Sequence, residues 1–191
     1  MNAGAPRPPL AARIAAHWRA RWKGHLGTLA LMVALVAGVQ AWQTRHVPGG
    51  DAPDLPLQLL MPDGSTQATT LAQWRARFPG QPVALHVWAE WCPICRAEEH
   101  SVTRLTHDWP VLTVAMRSGP PAAVARVMRQ RQLAWPTAVD ARGELAQALG
   151  FAAVPAFVVV DADGRLRAPS VGYATELGMR ARLWWVRLTG G

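Results

Sequence analysis

The chain has 191 residues, of which 50% are hydrophobic and 17% are charged, and this composition excludes an intrinsically disordered protein. The length suits one ordinary domain with an extension, and two cysteines are too few for a disulfide-rich scaffold. The formal net charge of +8 is compatible with a nucleic-acid partner only if the charge lies on the folded part of the chain.

The charge lies near the N-terminus instead. Residues 1–50 contain six basic residues and no acidic one, whereas the remaining residues carry a net charge of only +2. We therefore expect no nucleic-acid partner, because no basic surface remains for one. Most of the basic residues precede an uncharged stretch, and such an asymmetry is typical of a segment that orients a protein in a membrane.

The uncharged stretch, residues 25–44, is the first predicted element, a transmembrane helix that acts as a signal anchor. About 20 apolar residues span the hydrocarbon core of a bilayer, and Trp18, Trp22 and Trp42 suit its interfaces. Because basic segments stay in the cytoplasm, we expect residues 1–24 there and the rest of the chain in the periplasm. The prediction is a single-pass protein of the bacterial inner membrane.

Two other interpretations of this stretch stay open. It could be a buried core helix, although the basic residues before it have no acidic partners nearby. It could also be a cleaved signal peptide with Val39, Gln40 and Ala41 at the cleavage site, although its basic leader is long. Both membrane interpretations export the rest of the chain to an oxidising compartment.

A linker rich in proline and glycine, residues 45–56, leads to a predicted domain at residues 57–188. The predicted strands are residues 57–61, 67–70, 82–88, 111–116 and 156–160, with another beginning at 165–167. The predicted helices are residues 71–78, 93–107, 121–133, 143–149 and 175–188. This alternation indicates an α/β domain, with helices on both faces of a central sheet of about four strands. The first two predicted strands would form a small separate hairpin.

Both cysteines lie in one short motif, which runs from Trp91 to Cys95 and reads Trp-Cys-Pro-Ile-Cys. The motif follows a predicted buried strand and opens a predicted helix. The unpaired N–H groups and the dipole at a helix N-terminus favour a thiolate at Cys92, and Pro93 suits a position that needs no N–H donor. Cys95, one turn along, could resolve a mixed disulfide formed at Cys92, so the motif predicts a redox-active dithiol.

Two structural roles for the cysteines are alternatives. A structural disulfide between Cys92 and Cys95 would close a loop of only four residues, which constrains an unfolded chain little. A zinc site could recruit His100 and His107, but the spacing differs from that of zinc fingers. All four ligands would also lie on one predicted helix, from which they could not surround a single ion.

The stretch from Val87 to Cys95 resembles the active site of the thioredoxin superfamily. The stretch from Gly150 to Pro155 resembles the cis-proline loop of the same superfamily. The resemblance implies a thioredoxin-like fold, in which helices flank a central mixed sheet. It also implies a cis bond between Val154 and Pro155, beside the dithiol.

The same resemblance implies roles for the residues around the dithiol. An extended protein substrate would contact Trp91, Val154 and Pro155. The neighbours expected to tune the dithiol are His86, Glu90, Pro93 and Ile94, although Glu90 could equally be a solvated surface carboxylate. The redox-active disulfide of Cys92 and Cys95 would be the redox group itself, so we expect no metal ion and no further cofactor.

Further segments resemble the membrane-anchored TlpA-like branch of the superfamily, namely residues 137–140, 143–145 and 161–164. Residues 172–185 are more particular, because they resemble the C-terminus of suppressor of copper sensitivity protein D-type proteins, which are protein disulfide oxidoreductases. This resemblance covers about residues 57–188. It implies a membrane-tethered periplasmic enzyme that is linked to copper stress tolerance.

Three features depart from the family patterns. Ala156 follows the predicted cis-proline, where thioredoxins commonly have Thr. The Glu that cytochrome c maturation thioredoxins often carry after that proline is absent, which weakens a haem-apoprotein reductase as the function. The third departure lies in a predicted strand. His86 occupies the place of a buried Asp that in thioredoxins assists proton transfer to and from the buried cysteine. An imidazole titrates near neutral pH and could serve the same purpose. The alternative is a core histidine that is held by a hydrogen bond and has no part in the reaction.

We therefore predict a protein thiol-disulfide oxidoreductase that reduces or oxidises protein cysteines, in a direction set by its reduction potential. A reductase would need a membrane electron donor that carries electrons from the cytoplasm. The alternative function is Cu(I) binding by the two thiolates, with Met116 and His86 as nearby candidates for further ligands. A third hypothesis is a docking module without redox activity.

Overall fold

The computed structural model describes residues 10–190, and over residues 11–21 it describes the backbone alone. The predicted basic segment at residues 1–24 therefore lies partly outside the described residues, as does the side chain of Trp18. The described chain divides between Trp42 and Gln43 into two compact units, which are a long helix and a folded body.

The long helix is α1, Leu10–Gln43, and it contains residues 25–43 of the predicted transmembrane stretch. Its part Trp22–Gln43 is long and apolar enough to cross a membrane, and its most apolar window is not buried. Large side chains along it, among them Leu31, Leu35 and Val36, are exposed. A core helix buries such side chains, so the helix as described gives no support to the alternative of a buried core helix.

Residues of the predicted linker, 45–56, contact the body. Val47 packs against one of the hydrophobic clusters of the body. The N–H group of Ala52 donates a hydrogen bond of 2.7 Å to the carbonyl of Gly164. The chain therefore joins the body within a few residues of the end of α1.

Seven strands form one mixed sheet in the body. They are β1 Pro56–Leu60, β2 Thr66–Thr70, β3 Val83–Trp88, β4 Val111–Met116, β5 Thr137–Asp140, β6 Ala156–Val160 and β7 Leu166–Val171. Their order across the sheet is β2-β1-β5-β4-β3-β6-β7. The neighbours β3, β4 and β5 run parallel, whereas the other pairs are antiparallel.

The predicted count of about four strands is wrong. The hairpin of β1 and β2 extends the sheet, because Leu59 and Leu60 of β1 pair with Ala138 and Thr137 of β5. The sequence pattern misses β5, since it has only four residues and a polar residue at each end. Such a short segment shows no clear periodicity.

Helices cover both faces of the sheet, as predicted. They are α2 Leu71–Arg75, α3 Pro93–Asp108, α4 Pro121–Gln130, α5 Glu144–Ala148 and α6 Glu176–Thr189. Residues of α3, α4 and α6 share one hydrophobic cluster on one face. Residues of α2 and α5 belong to a second cluster on the opposite face.

The centre of the sheet leads directly to the cysteine motif. All six residues of β3 are buried, and β3 lies between β4 and β6. After Trp88, a connection of four residues leads to Pro93, the first residue of α3. A central, fully buried strand therefore positions the N-terminus of α3 at one edge of the sheet.

Candidate active site

The two cysteines lie at the first turn of α3. Cys92 is the N-cap residue, and its sulfur accepts a hydrogen bond of 3.2 Å from the N–H group of Cys95. Pro93 occupies the first helical position, where no N–H donor is needed. Both cysteines are buried and both carry free thiols. A helix N-terminus thus presents a backbone donor to the Cys92 sulfur, as the motif predicts.

The two thiols differ in their surroundings. Burial raises the pKa of the Cys95 thiol, and the hydrogen bond with Cys92 and the negative charge of Glu98 raise it further. Cys95 therefore keeps its proton at neutral pH. A buried thiol that keeps its proton suits Cys95 as the resolving thiol, which leaves Cys92, at the N-cap of α3, as the attacking thiol.

The loop before β6 lies against Cys92. The peptide bond between Val154 and Pro155 is cis, which confirms the expectation from the cis-proline loop. The Cys92 thiol donates to the carbonyl of Val154, with 3.8 Å between sulfur and oxygen. The carbonyl of Pro155 accepts a hydrogen bond of 2.8 Å from Gly172, so the end of β7 holds this loop in place.

Two exposed apolar residues lie beside Cys92 in the sequence. Trp91 is 58% exposed and Ile94 is 50% exposed. The indole N–H of Trp91 donates a hydrogen bond of 3.2 Å to the carbonyl of Arg117, which fixes the orientation of the ring. The site is thus a buried thiol with an apolar rim that is open to a partner.

Two hydrogen bonds to side chains hold the backbone of Glu90 in place. Its N–H group donates to the Ser118 hydroxyl at 3.0 Å, and its carbonyl accepts from Arg131 Nη2 at 3.0 Å. Arg131 Nη1 also pairs with the carboxylate of Glu99 at 2.9 Å. Sequence reasoning misses Arg131 and Ser118, because no local pattern connects them to the motif.

A buried carboxylate, Glu98, lies on α3 one turn after Cys95. His86 Nε2 is 3.0 Å from Glu98 Oε2, and both side chains are buried. The other oxygen, Oε1, accepts a short hydrogen bond from the N–H group of Ala174. The sequence offers two alternative roles for His86, a hydrogen-bonded core histidine and a proton-transfer group. The contact between His86 and Glu98 is compatible with both roles.

Sequence reasoning misses Glu98 because apolar spacing alone does not place this polar residue on the buried side of α3. Apolar spacing puts Ile94 and Ala97 on the same side as Val102 and Leu105. The structure instead buries Cys95 and Glu98 with Val102 and Leu105, and leaves Ile94 and Ala97 exposed. The available signal is the spacing of three residues between Cys95 and Glu98, which puts both on one side of a helix.

The zinc alternative finds no support in the described part of the chain. His100 and His107 are exposed on α3. Within residues 10–190, no group of three or more His, Cys, Asp or Glu residues could hold a metal ion. The Nδ1 atom of His86 has no hydrogen-bond partner there, while its Nε2 atom is occupied by Glu98.

The family model described as Redoxin matches residues 49–182. The chain is 26% identical over 111 residues to a thioredoxin-like protein of Haemophilus influenzae, over 58% of this chain and 66% of that protein. It is 33% identical over 90 residues to a thiol:disulfide interchange protein DsbE homolog of Paracoccus denitrificans, over 47% of this chain and 50% of that protein. The matched part thus spans between half and two thirds of these relatives.

Solved structures are similar over the body. The exposed lipoprotein thioredoxin of Streptococcus pneumoniae matches 70% of this chain and 99% of its own chain, with a TM-score of 0.57 and 23% identity. This likeness confirms the thioredoxin-like fold that the sequence motifs imply. The finer resemblance to suppressor of copper sensitivity protein D-type proteins stays a prediction.

Proposed function

The chain belongs to the Redoxin family, and from this premise we propose that it is a membrane-tethered periplasmic thiol-disulfide oxidoreductase. The placement of Cys92 carries the proposal. Its sulfur accepts the Cys95 N–H at the start of α3 and lies 3.8 Å from the carbonyl of Val154. An attacking thiol, a resolving thiol and a loop for the substrate backbone thus meet at one place.

The reaction transfers two electrons and two protons. In the reductive direction, the Cys92 thiolate attacks one sulfur of a substrate disulfide, and the other substrate sulfur leaves and takes up a proton. Cys95 then loses its proton and attacks the Cys92 sulfur of the mixed disulfide, which releases the second substrate thiol. The enzyme is left with a Cys92–Cys95 disulfide. The same steps in reverse oxidise a substrate dithiol.

The resolving step needs an acceptor for the Cys95 proton. Glu98 is the candidate, because it lies three residues further on the same buried side of α3. His86 holds the Glu98 carboxylate from β3 and acts as a positioning residue. Glu98 thus takes the proton-transfer role that the sequence offers as one alternative for His86, and His86 has the other role, that of a hydrogen-bonded core residue.

The substrate is a protein segment with a cysteine in an extended conformation. Trp91 and Ile94 offer it apolar contacts beside the Cys92 sulfur. The Val154 carbonyl, in the loop before Pro155, offers it a backbone acceptor. Pro93 keeps the first turn of α3 free of an N–H group that would compete with these contacts.

The charge pattern supports the membrane orientation. Residues 1–24 would lie in the cytoplasm, residues 25–44 in the bilayer, and residues 45–56 would lead to the periplasmic domain at 57–188. A reductase in that oxidising compartment requires electrons from the cytoplasm. Its partner would then be a membrane protein that carries thiol-disulfide equivalents across the bilayer.

Cu(I) binding is the weaker candidate function. It would use the same two thiols, but Glu98 occupies His86 Nε2, and Met116 is buried at the end of β4. A titration of the reduced full chain with Cu(I) tests it. Binding no tighter than that of a small dithiol would exclude a dedicated copper site and leave copper tolerance as an indirect consequence of thiol exchange.

Turnover of a disulfide substrate tests the proposed function. The full chain, purified in detergent, is expected to catalyse insulin reduction by a small thiol, and Cys92→Ser is expected to abolish this activity. The matched control is Ala97→Ser, which adds a hydroxyl group at an exposed position of α3. Full activity of Cys92→Ser would contradict the proposal, as would a Cys92 thiol that reacts no faster than a free thiol.

A further inference from the structure

Helix α6 is apolar on two opposite sides. On one side, Met179, Leu183 and Val186 are buried in the core of the body. On the other side, five exposed residues recur at helical spacing, and we call them the α6 stripe: Leu177, Ala181, Trp184, Trp185 and Leu188. A surface helix normally has polar residues opposite its core side. Folding of the body therefore does not explain the α6 stripe.

The large side chains of the α6 stripe are highly exposed. Leu177 and Leu188 are 77% and 79% exposed, while Trp184 and Trp185 are 51% and 65% exposed. The ring of Trp184 packs edge-on against Trp109, with 5.4 Å between the ring centroids. A contiguous exposed patch of this kind marks a surface that binds a protein or a membrane.

Positive charge borders the α6 stripe. Neither Arg182 nor Arg187 forms an ion pair with a carboxylate of the described residues. The guanidinium of Arg187 lies 5.5 Å from the ring centroid of Trp184 and 5.8 Å from that of Trp109. The apolar face and an unpaired cation are therefore adjacent.

The carboxylates near α6 are already neutralised. Glu176 pairs with Arg180 at 2.9 Å and with Arg104, and Asp108 pairs with Arg180 at 2.6 Å. The charge that these pairs leave on α6 is positive. The exposed side of α6 is thus complementary to a partner whose surface carries negative charge above an apolar layer.

We propose that the α6 stripe docks on the anionic phospholipid surface of the membrane to which the chain is tethered. The proposal rests on the membrane tether of the proposed function. Tryptophan and leucine suit the boundary between headgroups and acyl chains, and arginine suits the headgroup phosphates.

The short tether supports this occupant over others. Three residues separate Gln43, at the end of α1, from Val47, which packs on the body. Such a segment reaches at most about 14 Å. Tethering raises the effective concentration of the bilayer surface, so that even a weak contact with it is populated. A second copy of the chain and a membrane electron donor are the competing occupants.

Docking would orient the redox site. Ala174, whose N–H group binds Glu98, lies three residues before Leu177 at the start of the α6 stripe. A docked α6 would therefore hold the dithiol at a fixed distance from the bilayer, where a membrane electron donor could reach it.

The test inserts the full chain into lipid nanodiscs that contain phosphatidylglycerol and a lipid-borne nitroxide quencher. Cys92→Ser and Cys95→Ser remove the native thiols, so that a single introduced cysteine carries a fluorophore. Leu188→Cys places the fluorophore on the α6 stripe. Gln147→Cys is the matched control, because it is exposed on α5, on the opposite face of the sheet.

We expect the lipid nitroxide to quench the fluorophore at position 188 and not the one at 147. Arg182→Gln and Arg187→Gln should each weaken docking by roughly fivefold, since each arginine interacts with an anionic surface. Phosphatidylcholine discs should reduce the quenching in the same way.

Weak and equal quenching at both positions would overturn the proposal. Aqueous iodide gives a second outcome that would overturn the proposal. If the label at 188 is shielded from iodide only by a second copy of the chain or by an added membrane protein, the α6 stripe binds protein and not lipid. Resistance to alkaline extraction distinguishes a failure of the membrane tether from a failure of α6 docking. A chain that is extracted has no membrane tether, and both proposals fail, whereas an inserted chain without quenching refutes docking alone.

Discussion

His86 and Glu98 form a buried pair, in which Nε2 and Oε2 are 3.0 Å apart and the side chains are 2% and 1% exposed. A buried carboxylate is costly unless it has partners, and Glu98 has two, His86 and the N–H group of Ala174. Cys95, one turn before Glu98, has a pKa that is raised by burial, by its hydrogen bond with Cys92 and by the Glu98 charge. The strand β3, the helix α3 and the loop before α6 therefore together position a carboxylate that raises the pKa of Cys95.

Glu98→Gln keeps the shape of the side chain and removes its charge and its capacity to accept a proton. We expect the mixed disulfide to resolve about 10²-fold more slowly or worse, because a positioned general base contributes at least that much. Rapid-quench measurement of mixed-disulfide decay gives the rate. The control is Glu144→Gln, an exposed carboxylate on α5. An unchanged rate in Glu98→Gln would remove Glu98 from the mechanism.

His86→Leu leaves the Glu98 carboxylate buried with only one partner. We expect the free energy of unfolding to fall by about 3 kcal/mol or more, which is typical of a broken buried pair. The double variant His86→Leu with Glu98→Leu should recover much of this loss, because no unpaired charge stays buried. Urea unfolding of the full chain in detergent measures both. Equal losses in the single and double variants would show that the two residues are not coupled.

The dithiol could be predicted because its signals are local. A buried strand, Cys92 and Pro93 follow one another in the sequence, and together they specify a helix that begins at the motif. The resemblance to thioredoxins supplied the cis bond at Pro155, which residue patterns alone do not reveal.

The residues that hold the dithiol in place could not be predicted, because their positions depend on tertiary contacts. Arg131 reaches the Glu90 carbonyl across 41 residues of sequence. Glu98 is polar and so breaks the apolar pattern of α3, and only its contacts with His86 and with the N–H group of Ala174 explain its burial. The strand β5 is too short for periodicity, although its pairing with β1 joins the hairpin to the sheet.

Cys95→Ser removes the resolving thiol and keeps the attacking one. We expect Cys92 to form mixed disulfides that persist, because no second sulfur displaces the substrate. Non-reducing gel electrophoresis of the full chain after incubation with oxidised substrate would show adducts that dithiothreitol removes. The double variant Cys92→Ser with Cys95→Ser should form none. Adducts in the double variant, or none in Cys95→Ser, would contradict the assignment of the two thiols.

Arg131 joins two elements of the site through Glu90 and Glu99. Arg131→Gln should lower the free energy of unfolding by about 1.5–3 kcal/mol, since a hydrogen bond to a charged group is lost. It should also speed hydrogen exchange at the N–H group of Glu90, which the Ser118 hydroxyl otherwise holds. Arg129→Gln, at an exposed position of α4, is the control and should change neither. Exchange at Glu90 that stays slow in Arg131→Gln would mean that the loop does not depend on this contact.

The raised pKa of Cys95 predicts how stability depends on pH. An unfolded thiol loses its proton near about pH 8.5, whereas native Cys95 keeps it to higher pH because of burial, its hydrogen bond with Cys92 and the Glu98 charge. Above that pH the unfolded state binds fewer protons than the native state, so the reduced protein loses stability as the pH rises. The loss approaches about 1.4 kcal/mol per pH unit between the two pKa values.

Urea unfolding of the reduced full chain in detergent, from about pH 7 to about pH 10, measures this loss. Cys95→Ala is the matched control, because it retains Cys92 and every other titrating group. We expect the wild type to lose more stability than Cys95→Ala over this range, and the difference isolates the Cys95 proton. Parallel pH profiles for the two proteins would mean that Cys95 titrates alike in the native and unfolded states. Glu98 would then have no raised Cys95 pKa to overcome, and only a slow Glu98→Gln variant would support its role as proton acceptor.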